Sequence, residues 1–418
     1  MDGEGGYQED KGPTKYSYSD LFHISAFRNL WLGDICSQTS DRMAFVAITV
    51  LAYGTTTSTL GLSLIMGAYF LPALVVSIPG GVAADRYSRR TLMVAAEGTR
   101  VLIALLMAFL NAGLWLLPLV LVFSSLTYLF YPSRQASIPN LVPDGALMPA
   151  NAAISANLIL GFAIGPLIAG LMLTTWDAQW TLVTAAVIMA VGVAIIASIT
   201  VEALRTPVRD RGESKWHGLR EGLAAIRSRA VLWQGFALVV FVMLAVGAGA
   251  VGLVYFGDEN LGMGKEGFTV LLSALAVGTL VGAVTIGRMA SRLPKGRLLI
   301  IAAELAGLML ALLSMTDQVY IALGIMFLIG VAAALVLVPF TTMLQEYLGD
   351  QVMGTGFGLL SMGLTAPLLI GIAIAAPVIE SHDVLYLFWM MGLMLILVGM
   401  VTIVLSRLWR GEPVESSE

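Results

Sequence analysis

The chain has 418 residues, 58% of them hydrophobic and only 12% charged, with a mean hydropathy of +0.87. Soluble domains carry about 25% charge, so this composition excludes water as the solvent for most of the molecule's surface. A net charge of −4 with its basic residues in loops excludes a nucleic-acid surface, and a single cysteine, Cys36, excludes a disulfide framework and a cysteine-based metal cluster.

Residues Met1 to Ser19 are polar and acidic, without the basic-then-apolar order of a cleaved leader, and read with the next few residues as a tail over 1–27. Apolar stretches of the roughly twenty residues that cross about 30 Å of hydrocarbon then follow near 29–53, 61–80, 91–110, 114–132, 147–174, 180–202, 231–256, 267–287, 298–315, 319–343, 353–377 and 384–406. Twelve spans leave both termini on one side. The odd-numbered connections hold a single basic residue, Lys265, whereas the even-numbered ones and the tails hold nearly all the others, which by the positive-inside bias makes both termini cytoplasmic.

Between the second and third spans, Pro79-Gly80-Gly81-Val82-Ala83-Ala84-Asp85-Arg86-Tyr87-Ser88-Arg89-Arg90 reads as a tight, charged reversal. The connection Ala203 to Ala230 is the longest. In it Trp216, Leu219, Leu223 and Ile226 recur at helical spacing with arginines between, either as an amphipathic helix on the membrane surface or as a soluble linker helix. An internal repeat supports a division there: Arg90 to Glu97 aligns with Arg297 to Glu304 at an offset of 207 (297 − 90 and 304 − 97), and Pro132 falls on Pro339 at the same offset. Two halves of six spans enter the membrane in the same sense, related by an axis along its normal. The expected organisation is a tail (1–27), a six-helix bundle (28–203), a linker (204–230), a second bundle (231–407) and a tail (408–418), all α-helical.

Few ionisable residues fall inside the spans: Asp34, Asp41 and Arg42 on the first, Glu97 and Arg100 on the third, Glu304 on the ninth. A charge in hydrocarbon costs several kcal/mol, so such groups face protein or water and mark a transport path. Asp34 and Asp41, seven residues apart, share a helix face at depths of roughly 9 Å and 20 Å, and Arg100 at about 15 Å reaches toward either. One reading makes these carboxylates proton carriers; the other makes Asp41–Arg42 or Glu97–Arg100 buried structural pairs. Glu97 and Glu304, placed alike in the two halves, read rather as braces for neighbouring loops. Trp31, Phe45, Tyr53, Tyr69, Phe70, Tyr128 and the 21 methionines are available to line an adaptable apolar pocket or, alternatively, to face lipid and pack helices, and none is assigned individually. The three histidines lie outside the spans and no phosphate-binding loop is present, so neither a zinc centre nor ATP hydrolysis is expected, and no cofactor.

The reversal after the second span resembles the Gly-x-x-x-Asp-Arg-x-Gly-Arg-Arg signature of the major facilitator superfamily of transporters. Gly81, Asp85, Arg86, Arg89 and Arg90 match, with Ser88 in place of the second glycine. Gly161-x-x-x-Gly165-Pro166-x-x-Ala169-Gly170 on the fifth span resembles that superfamily's antiporter-type motif, with Ala169 for one glycine. The segments Tyr131 to Pro143 and Phe27 to Gly33 are similar to the branch containing the enterobactin exporter and macrolide efflux proteins.

The resemblance implies two six-helix bundles and a loop that latches the cytoplasmic side, with the helix after Asp350 as dipole partner and Arg134, following the fourth helix, as ionic partner. It implies a monomeric secondary transporter, not an enzyme, in the inner membrane of a prokaryote. Such a protein exports an amphipathic drug, siderophore or metabolite by proton antiport, with substrate, protons and lipids as its partners and no nucleic acid. An importer or lysophospholipid transporter, and a non-transporting sensor or scramblase, are the alternatives.

Overall fold

The computed structural model describes residues 18–56, 58–110, 115–200, 230–264, 267–289, 294–347 and 350–405. The tail before Tyr18, the helix expected over Trp216 to Arg227, the C-terminal tail, and the side chains of Asp85 and Asp350 lie outside the described residues.

A short helix α1 (Tyr18–His23) leads into α2 (Ser25–Thr55), followed by α3 (Thr59–Phe70), α4 (Pro72–Val75), α5 (Ser77–Arg86), α6 (Arg89–Phe109), α7 (Leu116–Leu141), α8 (Leu147–Leu173) and α9 (Ala178–Ala197). The second half contains α10 (Ala230–Tyr255), a π-turn (Phe256–Asn260), α11 (Gly267–Met289), α12 (Lys295–Leu313), α13 (Val319–Tyr347), α14 (Asp350–Ser381) and α15 (Val384–Leu405). Ten helices are long and apolar enough to cross a bilayer among the described residues. The broken α3–α5 and α2, which carries Arg28, Asp34, Asp41 and Arg42, bring the spans to twelve. Large apolar side chains such as Leu102, Phe109, Val284 and Val404 stand on the outside, as lipid rather than water requires.

Neighbour relations repeat between the halves. Helix α2 packs on α8 and α9, as α10 does on α14 and α15; α6 packs on α7 and α9, as α12 does on α13 and α15. The halves meet where α8 lies against α11 and where α3 and α4 lie against α14.

Two expectations are corrected here. The charged reversal is mostly helix: α5 runs through Pro79, Gly80, Gly81 and Asp85 to Arg86, and only Tyr87 and Ser88 separate it from α6. Ser88 has a negative φ, so no glycine is needed, and its side chain accepts from Thr91 N at 3.4 Å to cap α6. The break in the second span falls earlier, where Pro72 starts α4 after Leu71. Arg134, in turn, does not follow the fourth span. Helix α7 continues through Pro132 and Pro139 to Leu141, so Arg134 is an interior helix residue.

Pro132 has no N–H, which removes the donor that the Tyr128 carbonyl would otherwise have within α7. Gly80 fills that place: a Cβ there would run into Tyr128 O, so its Cα hydrogen points at that oxygen. A Cβ at Gly81 meets open space. Gly80→Ala should therefore lose about 1–3 kcal/mol by overpacking α5 on α7. Gly81→Ala should be neutral or gain up to about 1 kcal/mol of helix propensity. Thermal unfolding of the two variants in detergent measures the contrast, and equal midpoints would contradict the assignment.

Candidate functional site

Helix α7 places Ser124, Thr127, Tyr128 and Tyr131 three and four residues apart, hence on one face. That face, Asp41 and Arg42 of α2 and Tyr69 and Phe70 at the end of α3 line a small cavity that opens partly to solvent. Of the aromatic residues available for a pocket, Tyr69, Phe70 and Tyr128 line this cavity and Trp31, Phe45 and Tyr53 do not; Tyr131 and Thr127 were not singled out, although they lie at helical spacing from Tyr128. Tyr131 Oη donates to Gln38 Oε1 at 2.9 Å, and Tyr69 Oη to the Asp41 carbonyl at 3.3 Å. Both hydroxyls are thus committed, leaving ring surface toward the cavity.

Beside the cavity lies a buried charge cluster. Arg100 is fully buried and forms an ion pair with Asp41, while its other terminal nitrogen meets Glu97 at 2.8 Å, one turn back on α6. The Phe123 ring covers the guanidinium, 4.2 Å from its centroid. The two acids are 5% and 1% exposed, so Arg100 is the charge that compensates them in low dielectric. Arg42 stands apart from this network, 5.8 Å from the Phe162 ring.

Asp34 belongs to a second network nearer the start of α2. Arg134 reaches it at 2.7 Å and Asn157 Nδ2 donates to it at 2.9 Å, while the same amide nitrogen also lies 3.0 Å from the Trp31 carbonyl. These contacts join α2, α7 and α8 within one bundle. Asp34 and Asp41, read as sharing a face, are both buried but have different arginines, and of the two acids Arg100 meets Asp41. Arg134, expected to serve the loop after α5, holds Asp34. Asn157 carried no signal in the sequence beyond being an amide in an apolar run.

Glu304 sits apart from both networks, on α12 against Gly399 of α15, with Oε1 buried and without a hydrogen-bond partner among the described residues. The offset of 207 maps Arg100 onto Gly307 (307 − 207), so the second bundle has no guanidinium at that place. The second bundle thus carries the acid without the arginine, and the compensated cluster among the described residues lies in the first bundle. Of the loop arginines, Arg86 is exposed, Arg89 donates to the Ala136 carbonyl at 2.5 Å and Arg90 to that of Ala197, two acceptors in the first bundle. Among the described residues no group of three His, Cys, Asp or Glu is placed to hold a metal ion.

The fifth-span motif positions the site. A Cβ at Gly161 would lie 2.6 Å from Gln38 Cβ, and one at Gly165 would lie 2.5 Å from Arg42 Cβ and 2.8 Å from Thr39 O. The two glycines thus seat α8 on the stretch of α2 that bears the cavity residues. Pro166 and Gly170 face the other half: Ser273 Oγ of α11 lies 3.3 Å from Pro166 O, and a Cβ at Gly170 would lie 2.8 Å from that hydroxyl.

At the end of the bundle where α2 stops, Tyr53 Oη donates to Asp258 Oδ2 of the π-turn at 2.5 Å, and the Tyr53 and Tyr255 rings meet edge-on at 5.3 Å. This tie between the halves was not foreseen. Tyr53→Phe and Asp258→Asn should each raise the accessibility of a cysteine placed in the cavity from that end several-fold, read by maleimide labelling. Unchanged labelling would show that the contact does not hold the halves together.

The family profile of the Major Facilitator Superfamily matches residues 30–371 and 259–418. Macrolide efflux protein A of Streptococcus pyogenes is 24% identical over 400 residues, 90% of this chain and 94% of its own. Enterobactin exporter EntS of Escherichia coli O1:K1 / APEC is 29% identical over 353 residues, 80% of each. A POT family transporter solved in complex with 5-aminolevulinic acid superposes with a TM-score of 0.74 at 15% identity, over 94% of this chain and 98% of that one. The nucleoside transporter NupG does so with a TM-score of 0.71 at 11% identity, over 91% and 98%. Twelve membrane spans in two like-wired bundles, a cavity with a charged wall beside one of them, and a profile match across nearly the whole length agree: the chain is a multi-pass membrane transporter of the Major Facilitator Superfamily.

Proposed function

We propose that this transporter exports an amphipathic small organic molecule in exchange for protons, by alternating access, from the inner membrane of a prokaryote with both termini in the cytoplasm. The single observation that carries the coupling is Asp41, which lines the cavity and is at the same time ion-paired to Arg100. Arg100 shares itself between Asp41 and Glu97, so a proton on either acid weakens one of its two bonds and frees the guanidinium to favour the other. Substrate entering beside Asp41 acts on the same balance, which links the two cargoes. The efflux relatives support the outward direction, and the Tyr53–Asp258 tie supports an arrangement closed at the end facing outward, given the distribution of Lys and Arg.

Everted vesicles test this with a labelled macrolide and labelled enterobactin as probes. An inward-acid gradient should drive uptake of at least one, and Asp41→Asn and Glu97→Gln should each reduce that uptake tenfold or more. Uptake that ignores the gradient and both substitutions, or no uptake of either probe, overturns the proposal.

A further inference from the structure

The cavity wall carries two polar groups that the protein leaves without a hydrogen-bond partner among the described residues, Arg42 Nε and Thr127 Oγ1. Thr127 is 7% exposed. Its hydroxyl does not bond back to the carbonyl four residues earlier, as those of Ser124 and Thr49 do at 2.8 Å. Arg42, half-buried, differs as plainly from Arg100 and Arg134. Arg100 holds two carboxylates and Arg134 holds Asp34, whereas Arg42 has no ion pair among the described residues and only the Phe162 ring near its charge.

The acids close by do not supply the missing partner. Asp41 is paired with Arg100, and Glu97 takes the other terminal nitrogen of the same group. Arg42 is half-buried, with its Nε enclosed and its nearest acid already engaged by Arg100, and its fork of donors matches the two oxygens of an oxyanion. Around it, Tyr69 and Tyr131 have spent their hydroxyls on Asp41 O and Gln38, so with Phe70 they offer ring surface and not donors. The groups left open are therefore positive at Arg42, hydroxylic at Thr127 and Tyr128, and apolar elsewhere.

We propose that the cavity selects amphipathic compounds whose polar end is an oxyanion, a carboxylate or sulfonate, with Arg42 as its counter-ion, Thr127 as a second donor and the aromatic rings holding an apolar body. The inference deepens the export reading and rests on this cavity being the transport site. A cationic compound would bring its charge toward Arg42 and find Asp41 already paired.

Titration calorimetry on the full chain in lipid nanodiscs tests it with three permanently charged or neutral probes of one shape: naphthalene-2-sulfonate, naphthalene-2-sulfonamide and (2-naphthylmethyl)trimethylammonium. The sulfonate should bind at least tenfold tighter than the other two. Arg42→Gln should abolish that preference, Arg42→Lys should retain most of it, and Thr127→Val should weaken the sulfonate three- to fivefold. Tightest binding of the ammonium, equal binding of all three, no binding of the sulfonate, or a preference that survives Arg42→Gln overturns the proposal. If Arg42→Gln fails to fold, the wild-type ranking decides alone. Because the titration needs no gradient, the two readings fail separately. A sulfonate preference with gradient-independent vesicle uptake sinks only the antiport reading, and an ammonium preference with gradient-driven uptake sinks only this one.

Discussion

Replacing Arg100 with glutamine should cost about 3–5 kcal/mol of stability and abolish transport. The substitution removes the one positive charge shared by Asp41 and Glu97 and leaves two carboxylates in low dielectric with nothing to offset them. Lysine is a poor substitute, because a point charge with rotating donors does not hold two acids as a planar fork does, so Arg100→Lys should recover only part of the loss. The decisive control is the triple variant Arg100→Gln, Asp41→Asn, Glu97→Gln. With every charge gone, the penalty for an uncompensated carboxylate goes too, and stability should return to within about 1–2 kcal/mol of the wild type while transport stays absent. Reversible unfolding in mixed micelles measures all three. A single variant within about 1 kcal/mol of the wild type would mean that water already solvates the acids and that the cluster is not sealed.

That cluster shows how far a sequence carries such an assignment. The residues that matter were legible because an ionisable group in an apolar run is conspicuous, and Asp41, Glu97 and Arg100 stand out on that ground alone. Which arginine takes which acid was not legible. Depth along an isolated helix places Arg100 between Asp34 and Asp41, but the choice depends on which helices adjoin and how each is rotated, and that is set by α7 bringing Arg134 to Asp34. Arg134 itself was misplaced because Pro132 looked like a helix end. In this environment a neighbouring helix satisfies the carbonyl that a proline frees, here through Gly80, and the helix continues. The same tolerance turned an apparent loop at Pro79–Arg86 into helix. Thr127, Asn157 and Asp258 gave no sequence signal, since a polar residue among many on a span acquires meaning only from what faces it.

Gly165→Val should impair transport far more than its residue type suggests, and more than Gly170→Ala on the same helix. At Gly165 an added Cβ meets Arg42 Cβ at 2.5 Å and the Thr39 carbonyl at 2.8 Å, atoms fixed to the α2 backbone that yield only if the helices separate. At Gly170 the nearest atom is Ser273 Oγ at 2.8 Å, the end of a side chain that escapes by rotating about χ1. The first substitution should cost about 1–3 kcal/mol by overpacking and the second under about 1 kcal/mol. The functional gap should be wider than the energetic one, because forcing α8 off α2 moves the segment that carries both Asp41 and Arg42 and so disturbs the cavity wall and the ion pair together. Gly161→Val, which strikes Gln38 one turn away, should behave like Gly165→Val, since Gln38 accepts the Tyr131 hydroxyl and its displacement releases a ring on the opposite wall. Vesicle uptake and micelle unfolding read the two effects independently. Transport that falls only in proportion to stability in all three variants would reduce the motif to general helix packing, whereas loss of transport in Gly161→Val and Gly165→Val at near-native stability would assign it to holding α2 in register with the cavity.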